Sequence, residues 1–481
     1  MIFDNPMKRG VMTLRSLSLL VSLALCAPLS AHAIEFSAQE LARAATLQKR
    51  LLTLDSHLDT PANFHRDGFN IAQRHDHNAL SQVDLPRMRD GALDGGFFAI
   101  YTDQGDRSPA AHRQDRDAGL LRLMEIREML AAHPDTFALA LTAADAARIK
   151  REGKRVVYIS MENASPLVDD PSLLGFYHRA GLRLLSTVHF ANNEFADSAT
   201  DPKGAEWNGL SPAGKALVDE AVRLGIVIDQ SHASDAVFDD LIQRMPVPFV
   251  LSHSSAKAIY NHPRNLDDAR LKQLAKAGGV IQVNAYGGYL IDTGKNDARK
   301  QAEDALIKQL GGDYDGMAIE QGVALKKGLA EIDARLPLRK ATLDDFFAHF
   351  EHILAVVGPE HVGIGLDWDG GGGLAGLQDV SELPKITAWL LRKGYTEKQI
   401  AGIWGGNLLR VLQQAQDHAA QKRTTNGGAL PREVPTVGRY PPMLQRPINA
   451  LRRLYRKYTA RPITFQIRKY SWVLLGRLMN R

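Results

Sequence analysis

The 481-residue sequence predicts a (β/α)8 TIM barrel with a helical insertion before the last strand and a basic C-terminal extension. Two observations carry the barrel. Apolar runs of β type alternate with helical stretches eight times over about 360 residues. Six of these runs end in His, Asp or Glu. The carboxyl ends of the strands are where such a barrel holds its chemistry, whereas strands covered on both faces otherwise read as apolar. The alternative is a doubly wound open sheet, but no Gly-x-Gly-x-x-Gly follows the first run.

The chain starts with a segment that does not belong to the barrel. Lys8, Arg9 and Arg15 precede an apolar run from Leu17 to Leu29, followed by Ala31-His32-Ala33. A basic start, a short apolar stretch and a small-x-small site predict a signal peptide over residues 1–33, cut after Ala33. The run is too short for a comfortable membrane span. Met12 is an alternative start. The single cysteine, Cys26, lies inside this segment, and Leu25 before it disfavours lipidation. The expected location is therefore exported, periplasmic or envelope-associated in a bacterium. The processed chain would hold no thiol, so any metal must be bound by His, Asp and Glu.

Residues 34–419 form the expected barrel domain. Residues 37–51 read as a helix before the first strand. The strand runs are Leu52 to Asp59, Gly95 to Tyr101, Val156 to Glu162, Leu182 to His189, Ile226 to His232, Phe249 to His253, Gly279 to Tyr286 and His361 to Asp367. Helical patterns between them include residues 115–132, 211–224 and 266–276. Residues 292–345 are an insertion rich in Ala, Lys, Asp and Glu. A lid or a homodimer contact competes there with a solvated helical excursion, and the excursion is favoured.

Residues 420–450 hold Pro431, Pro435, Pro441, Pro442 and Pro447 and read as an extended linker. Beyond it, Ile448, Leu451, Leu454, Tyr455 and Tyr458 recur at helical spacing among Arg452, Arg453, Arg456 and Lys457. Such a tail suits an anionic membrane surface or a packed terminal helix equally. From Lys422 onward the chain has 14 of its 59 Lys and Arg but one of its 54 acidic residues, Glu433. The net charge of +5 is thus a property of the tail, and no nucleic-acid partner is expected for the body.

The run ends assemble a metal-like set. His57 and Asp59 are two apart, so on a strand they share a face. Imidazole and carboxylate are good zinc ligands, although Asp-x-His-x-Asp also fits a plain polar strand end. Glu162, His189, His232, His253 and Asp367 end later runs in the same way. Three His and two carboxylates without sulfur can hold two zinc ions joined by a bridging carboxylate. Such a pair turns a bridging water into hydroxide and polarises a carbonyl, which suits amide hydrolysis. No phosphate-cradling Gly-Lys-Ser/Thr loop is present, and Gly370 to Gly373 reads as a flexible loop beside the site.

Dispersed motifs then carry a resemblance. They are Asp55-Ser56-His57-Leu58-Asp59, Met161-Glu162-Asn163, Thr187-Val188-His189-Phe190-Ala191-Asn192, Asp229-Gln230-Ser231-His232, Ser252-His253-Ser254, His262-Pro263-Arg264-Asn265 and Gly365-Leu366-Asp367-Trp368-Asp369-Gly370. In this order, across roughly residues 45–415, the chain resembles the membrane (renal) dipeptidase family of zinc peptidases in its secreted bacterial form.

The resemblance implies a dipeptidase that acts on dipeptides with a free terminal carboxylate through a metal-bridging hydroxide. It implies His57 and Asp59 on one zinc, His232 and His253 on the other, and Glu162 bridging. His189 would contact substrate and stabilise the oxyanion, and Asp367 would shuttle the proton. Arg264 would clamp the terminal carboxylate, and Tyr286 would line the substrate site. Asn163 departs from the family's frequent glycine. Gln82 and Asp84 read as structural, and His75-Asp76-His77 as a solvated loop. The competing readings are another binuclear amidohydrolase on an amide or lactam, and a non-catalytic envelope-associated binding protein. The intact ligand positions disfavour the latter.

Overall fold

The computed structural model describes residues 34–75, 80–103, 105–312 and 317–425. The segment read as a signal peptide, with Cys26, lies outside the described residues, and so do the basic tail and residues 426–450 of the expected linker, whose first residues, 420–425, instead continue the helix Asn407–Thr425. Asp76 and His77 of the His75-Asp76-His77 stretch also lie outside the described residues.

Nine parallel strands form one sheet among the described residues. They are β1 (Leu54–Leu58), β2 (Gly95–Tyr101), β3 (Phe137–Leu139), β4 (Arg155–Glu162), β5 (Leu182–Ser186), β6 (Val227–Asp229), β7 (Val250–Ser254), β8 (Val280–Val283) and β9 (Val362–Ile364). Eight of them follow the order β1-β2-β4-β5-β6-β7-β8-β9, and β3 pairs with β4 off that path. The ring is nearly closed by a bridge between Leu58 and Trp368 and by the Leu366 N–H, which donates to the Asp55 carboxylate at 3.2 Å.

The expected runs agree with this ring, with β3 as the addition. Its three residues pair with Arg155, Val156 and Val157, below the point where β5 joins β4 at Ile159. A three-residue run is too short to show a period. The helix Pro109–Ala132 starts earlier than the apolar pattern does. Ser108 caps it, accepting from the Ala111 N–H at 3.2 Å, and Pro109 sits in its first turn.

The strands are apolar at their starts and polar at their ends. Leu54, Phe97, Val156, Tyr158, Leu184, Val227, Val250 and Val280 join one buried cluster. The C-terminal helix Asn407–Thr425 closes that end with Leu408, Val411, Leu412 and Ala415. Hydrophobic burial thus fixes one mouth of the barrel, and the polar ends are left to converge at the other.

The insertion contributes helices Asp297–Gln309 and Ile319–Arg335. The second places Leu325, Leu329 and Ile332 on one stripe, and they bury against Met317 and Leu80. Arg66 donates from Nη1 to the Met317 carbonyl at 3.0 Å, and the Ile319 N–H donates to the Asp67 carbonyl at 3.1 Å. The segment therefore packs on the loop that follows β1 instead of standing in solvent.

Candidate metal centre and cleft

The site residues come from the carboxyl ends of the strands and the first turns after them. His57 lies within β1 and Asp59 just past it. Glu162 ends β4, and His253 lies within β7. His189, His232, Tyr286 and Asp367 each lie three residues past the ends of β5, β6, β8 and β9. The sequence runs are too long there because apolar residues such as Val188 continue past the last ladder pairing. At two of these turns the backbone is left-handed, with φ of 74° at His232 and 63° at Asp367. His and Asp are among the few side chains that tolerate this region.

Glu162 is the centre of the arrangement. Its Oε1 lies 3.0 Å from His232 Nε2, 3.5 Å from His189 Nε2 and 3.6 Å from His253 Nε2. Its Oε2 lies 3.3 Å from His57 Nε2. His57 Nε2 is in turn 3.5 Å from Asp59 Oδ2. His232 and His253 bring their Nε2 atoms within 2.8 Å of each other. All these side chains are buried.

Among the described residues, three groups have ligand atoms that converge within 4.8 Å: His57 with Asp59 and Glu162, Glu162 with His189 and His232, and His57 with His253 and Asp367. Glu162 is shared by two of them. The donors are nitrogen and oxygen only, buried and convergent, which fits a divalent cation of the zinc type.

The electrostatics divide the histidines. Burial disfavours charge on His57, but the Glu162 and Asp59 carboxylates beside it raise its pKa well above the usual value. His232 and His253 are pushed well below theirs, by burial first and then by Arg264 and neighbouring histidines. Neutral imidazoles keep the lone pair that a metal needs. Within β1, burial raises Asp55 to about 7, although it accepts from the His57 and Leu366 N–H groups.

A cleft opens over the centre. Asp59, Glu162, His189, His232 and Asp367 form its polar wall. Phe190, Tyr286, Tyr289 and Gly370 complete it. Arg264 is not among the lining residues. Its guanidinium lies 5.0 Å from the centroid of the Tyr289 ring and donates to the His253 carbonyl at 3.0 Å. Its buried Nε has no hydrogen-bond partner.

Phe190 and Tyr289 line the cleft without a role expected from sequence, and Gly370 was expected only in a flexible loop beside it. Tyr289 carried a weak signal, since it follows Tyr286 at helical spacing. Gln82, read as structural, ties the loop after β9 in place. It donates from its backbone N–H to Asp369 Oδ1 at 2.6 Å and accepts the Asp369 N–H on Oε1 at 2.8 Å.

Asn163, the departure from glycine, has φ of 67°. Asparagine tolerates left-handed backbone. Its amide also works locally, donating to the Thr102 carbonyl at 3.1 Å and accepting from Asn193 Nδ2 at 3.1 Å. Asn163→Ala keeps neither property and is expected to cost about 1–2 kcal/mol of stability. Denaturant unfolding checks this, and an alanine variant as stable as the parent would refute it.

Comparison with known proteins agrees with this geometry. The family model for membrane dipeptidase (peptidase family M19) matches residues 41–426. Dipeptidase ataJ of Aspergillus terreus is 29% identical over 409 residues, covering 80% of this chain and 89% of that protein. Dipeptidase 3 of Rattus norvegicus is 29% identical over 401 residues, covering 82% of this chain and 70% of that protein. The crystal structure of the probable dipeptidase PvdM from Pseudomonas aeruginosa superposes with a TM-score of 0.68 at 28% identity. That match covers 80% of this chain and 100% of PvdM. With a family match over most of its length and convergent ligands at the mouth of its barrel, the chain belongs to the membrane dipeptidase family, a family of metal-dependent peptidases.

Proposed function

We propose that the protein is a binuclear zinc dipeptidase that cleaves dipeptides with a free terminal carboxylate. The observation that carries this is Glu162, whose two oxygens face different histidines, His57 on one side and His232 with His253 on the other. His57 and Asp59 would hold one zinc and His232 and His253 the second, with Glu162 shared. When bound, two such ions polarise the scissile carbonyl and acidify the attacking water.

The remaining side chains bind substrate and move protons. Asp367, on the cleft wall, takes the proton of the attacking water and passes it to the leaving amine, as base and then acid. His189, also on the polar wall, donates to the oxyanion as it develops. Arg264 matches the substrate carboxylate with a planar fork, and its unpaired buried Nε–H is a donor in reserve. Tyr286 and Tyr289 close the cleft around a small substrate.

Metal analysis with a dipeptide panel tests this. About two zinc ions per chain are expected, with hydrolysis of free dipeptides of either stereochemistry at the second residue but not of C-terminally amidated ones. Asp367→Asn should keep the metal and lower kcat by roughly 10²–10⁴-fold with little change in KM. A chain that retains no metal and gains no activity on zinc addition would sink the proposal. Turnover of amides or lactams with dipeptides untouched would point to another amidohydrolase.

A further inference from the structure

We propose that Asp229 is a positioning residue that acts through the Ser252 hydroxyl to hold His253 in the tautomer presenting a bare Nε2 to the site. This rests on the two-metal reading above and adds a residue to it.

Asp229 ends β6 and is 2% exposed. Its Oδ1 accepts from the Ser231 N–H at 3.0 Å and the Ser252 N–H at 2.8 Å. Its Oδ2 accepts from Ser186 Oγ at 2.7 Å and Ser252 Oγ at 2.5 Å. These donors fill the capacity of a carboxylate, which offers no proton of its own. The Ser252 hydroxyl hydrogen is therefore committed to Oδ2. A further acceptor, Ser231 Oγ, is 3.5 Å from it and too long to compete.

The same Ser252 Oγ lies 2.8 Å from His253 Nδ1. With its hydrogen spent, it can only accept, so Nδ1 carries the imidazole proton. A neutral imidazole has one N–H, which leaves Nε2 bare. That atom faces Glu162 Oε1 at 3.6 Å and His232 Nε2 at 2.8 Å. His232 has no such relay, because its buried Nδ1 lacks a hydrogen-bond partner. Outer partners of this kind fix ring orientation and tautomer at metal sites.

Asp229→Asn reverses the relay without changing its shape. Two backbone N–H groups require the amide oxygen on the Oδ1 side, so the NH2 group takes the Oδ2 place and donates to Ser186 and Ser252. The Ser252 hydrogen is then released toward His253 Nδ1, and the imidazole proton moves to Nε2. The analogous replacement behind a protease histidine gives the wrong tautomer and a large loss of rate.

The test uses the full chain with 15N-labelled histidine, stripped of metal by a chelator. The parent should show His253 protonated at Nδ1, and Asp229→Asn should show it protonated at Nε2. By chelator competition, zinc affinity should fall roughly 10–100-fold in the variant. Ser252→Ala keeps the backbone contacts of Asp229 but removes the relay, so it should lose the fixed tautomer and weaken zinc by less. A merely structural role would lower melting temperature and leave tautomer and zinc affinity at parental values, which overturns the proposal. If Asp229→Asn does not fold, Ser252→Ala decides by the same two readouts. A parent that binds no zinc defeats the two-metal reading, while the metal-free spectra still decide the tautomer.

Discussion

Glu162→Ala is expected to strip metal from both halves of the site and to lower kcat/KM on a dipeptide by at least about 10³-fold, roughly 4 kcal/mol of transition-state stabilisation. Glu162 reaches His57 with one oxygen and the His232–His253 pair with the other. Loss of the carboxylate also removes the first cause that raises the pKa of His57. Glu162→Asp, which withdraws the carboxylate by about one bond, should fall between alanine and parent. Metal content measured beside kcat/KM checks this. Two metals retained with kcat/KM within tenfold of the parent would refute the bridging role.

Gly370→Ala is the second large effect. A methyl group there would lie 1.8 Å from Asp59 Oδ2 and 2.4 Å from Asp367 Oδ1. Both oxygens belong to the cleft wall, so one carboxylate must move. A displacement of about 1 Å at the reacting centre costs on the order of 10²-fold in rate. The backbone itself accepts alanine, because Gly370 is not in the left-handed region. The variant should thus fold like the parent by circular dichroism and lose about 10²-fold in kcat/KM. An unchanged kcat/KM would show that the space between Asp59 and Asp367 is not used.

What the sequence made legible followed from period and chemistry. Eight apolar runs with polar ends are enough for a barrel, because burial dictates one half of each strand and leaves the other free. His57, Glu162 and His253 were readable as ladder residues. His232 and Asp367 were readable only as types, since left-handed turns and not strand pairing aim them. Asp229 was in plain view beside Ser231 and His232, yet its partners Ser186 and Ser252 come from neighbouring strands. No local pattern announces a bond across three strands. Gly370 read only as part of a flexible loop beside the site, because what matters there is the missing methyl group. The insertion looked polar on average, and its apolar stripe emerged only once Leu80 and Met317 supplied the other side.

The left-handed turns have a consequence for how this site can change. His232, Asp367 and Asp369 all sit at positive φ, as does Asn163 beside Glu162. Few side chains other than glycine adopt that backbone readily, and those enriched there are Asn, Asp and His. At these positions the choice of side chain is filtered twice, once by the chemistry of the site and once by the turn. An attempt to retune the centre by placing Cys at 232 or Glu at 367 therefore meets a conformational barrier of about 1–2 kcal/mol before any coordination chemistry begins. Conversions that keep to Asp, Asn and His remain open, so the routes by which the chemistry of this site could change are narrow and can be enumerated.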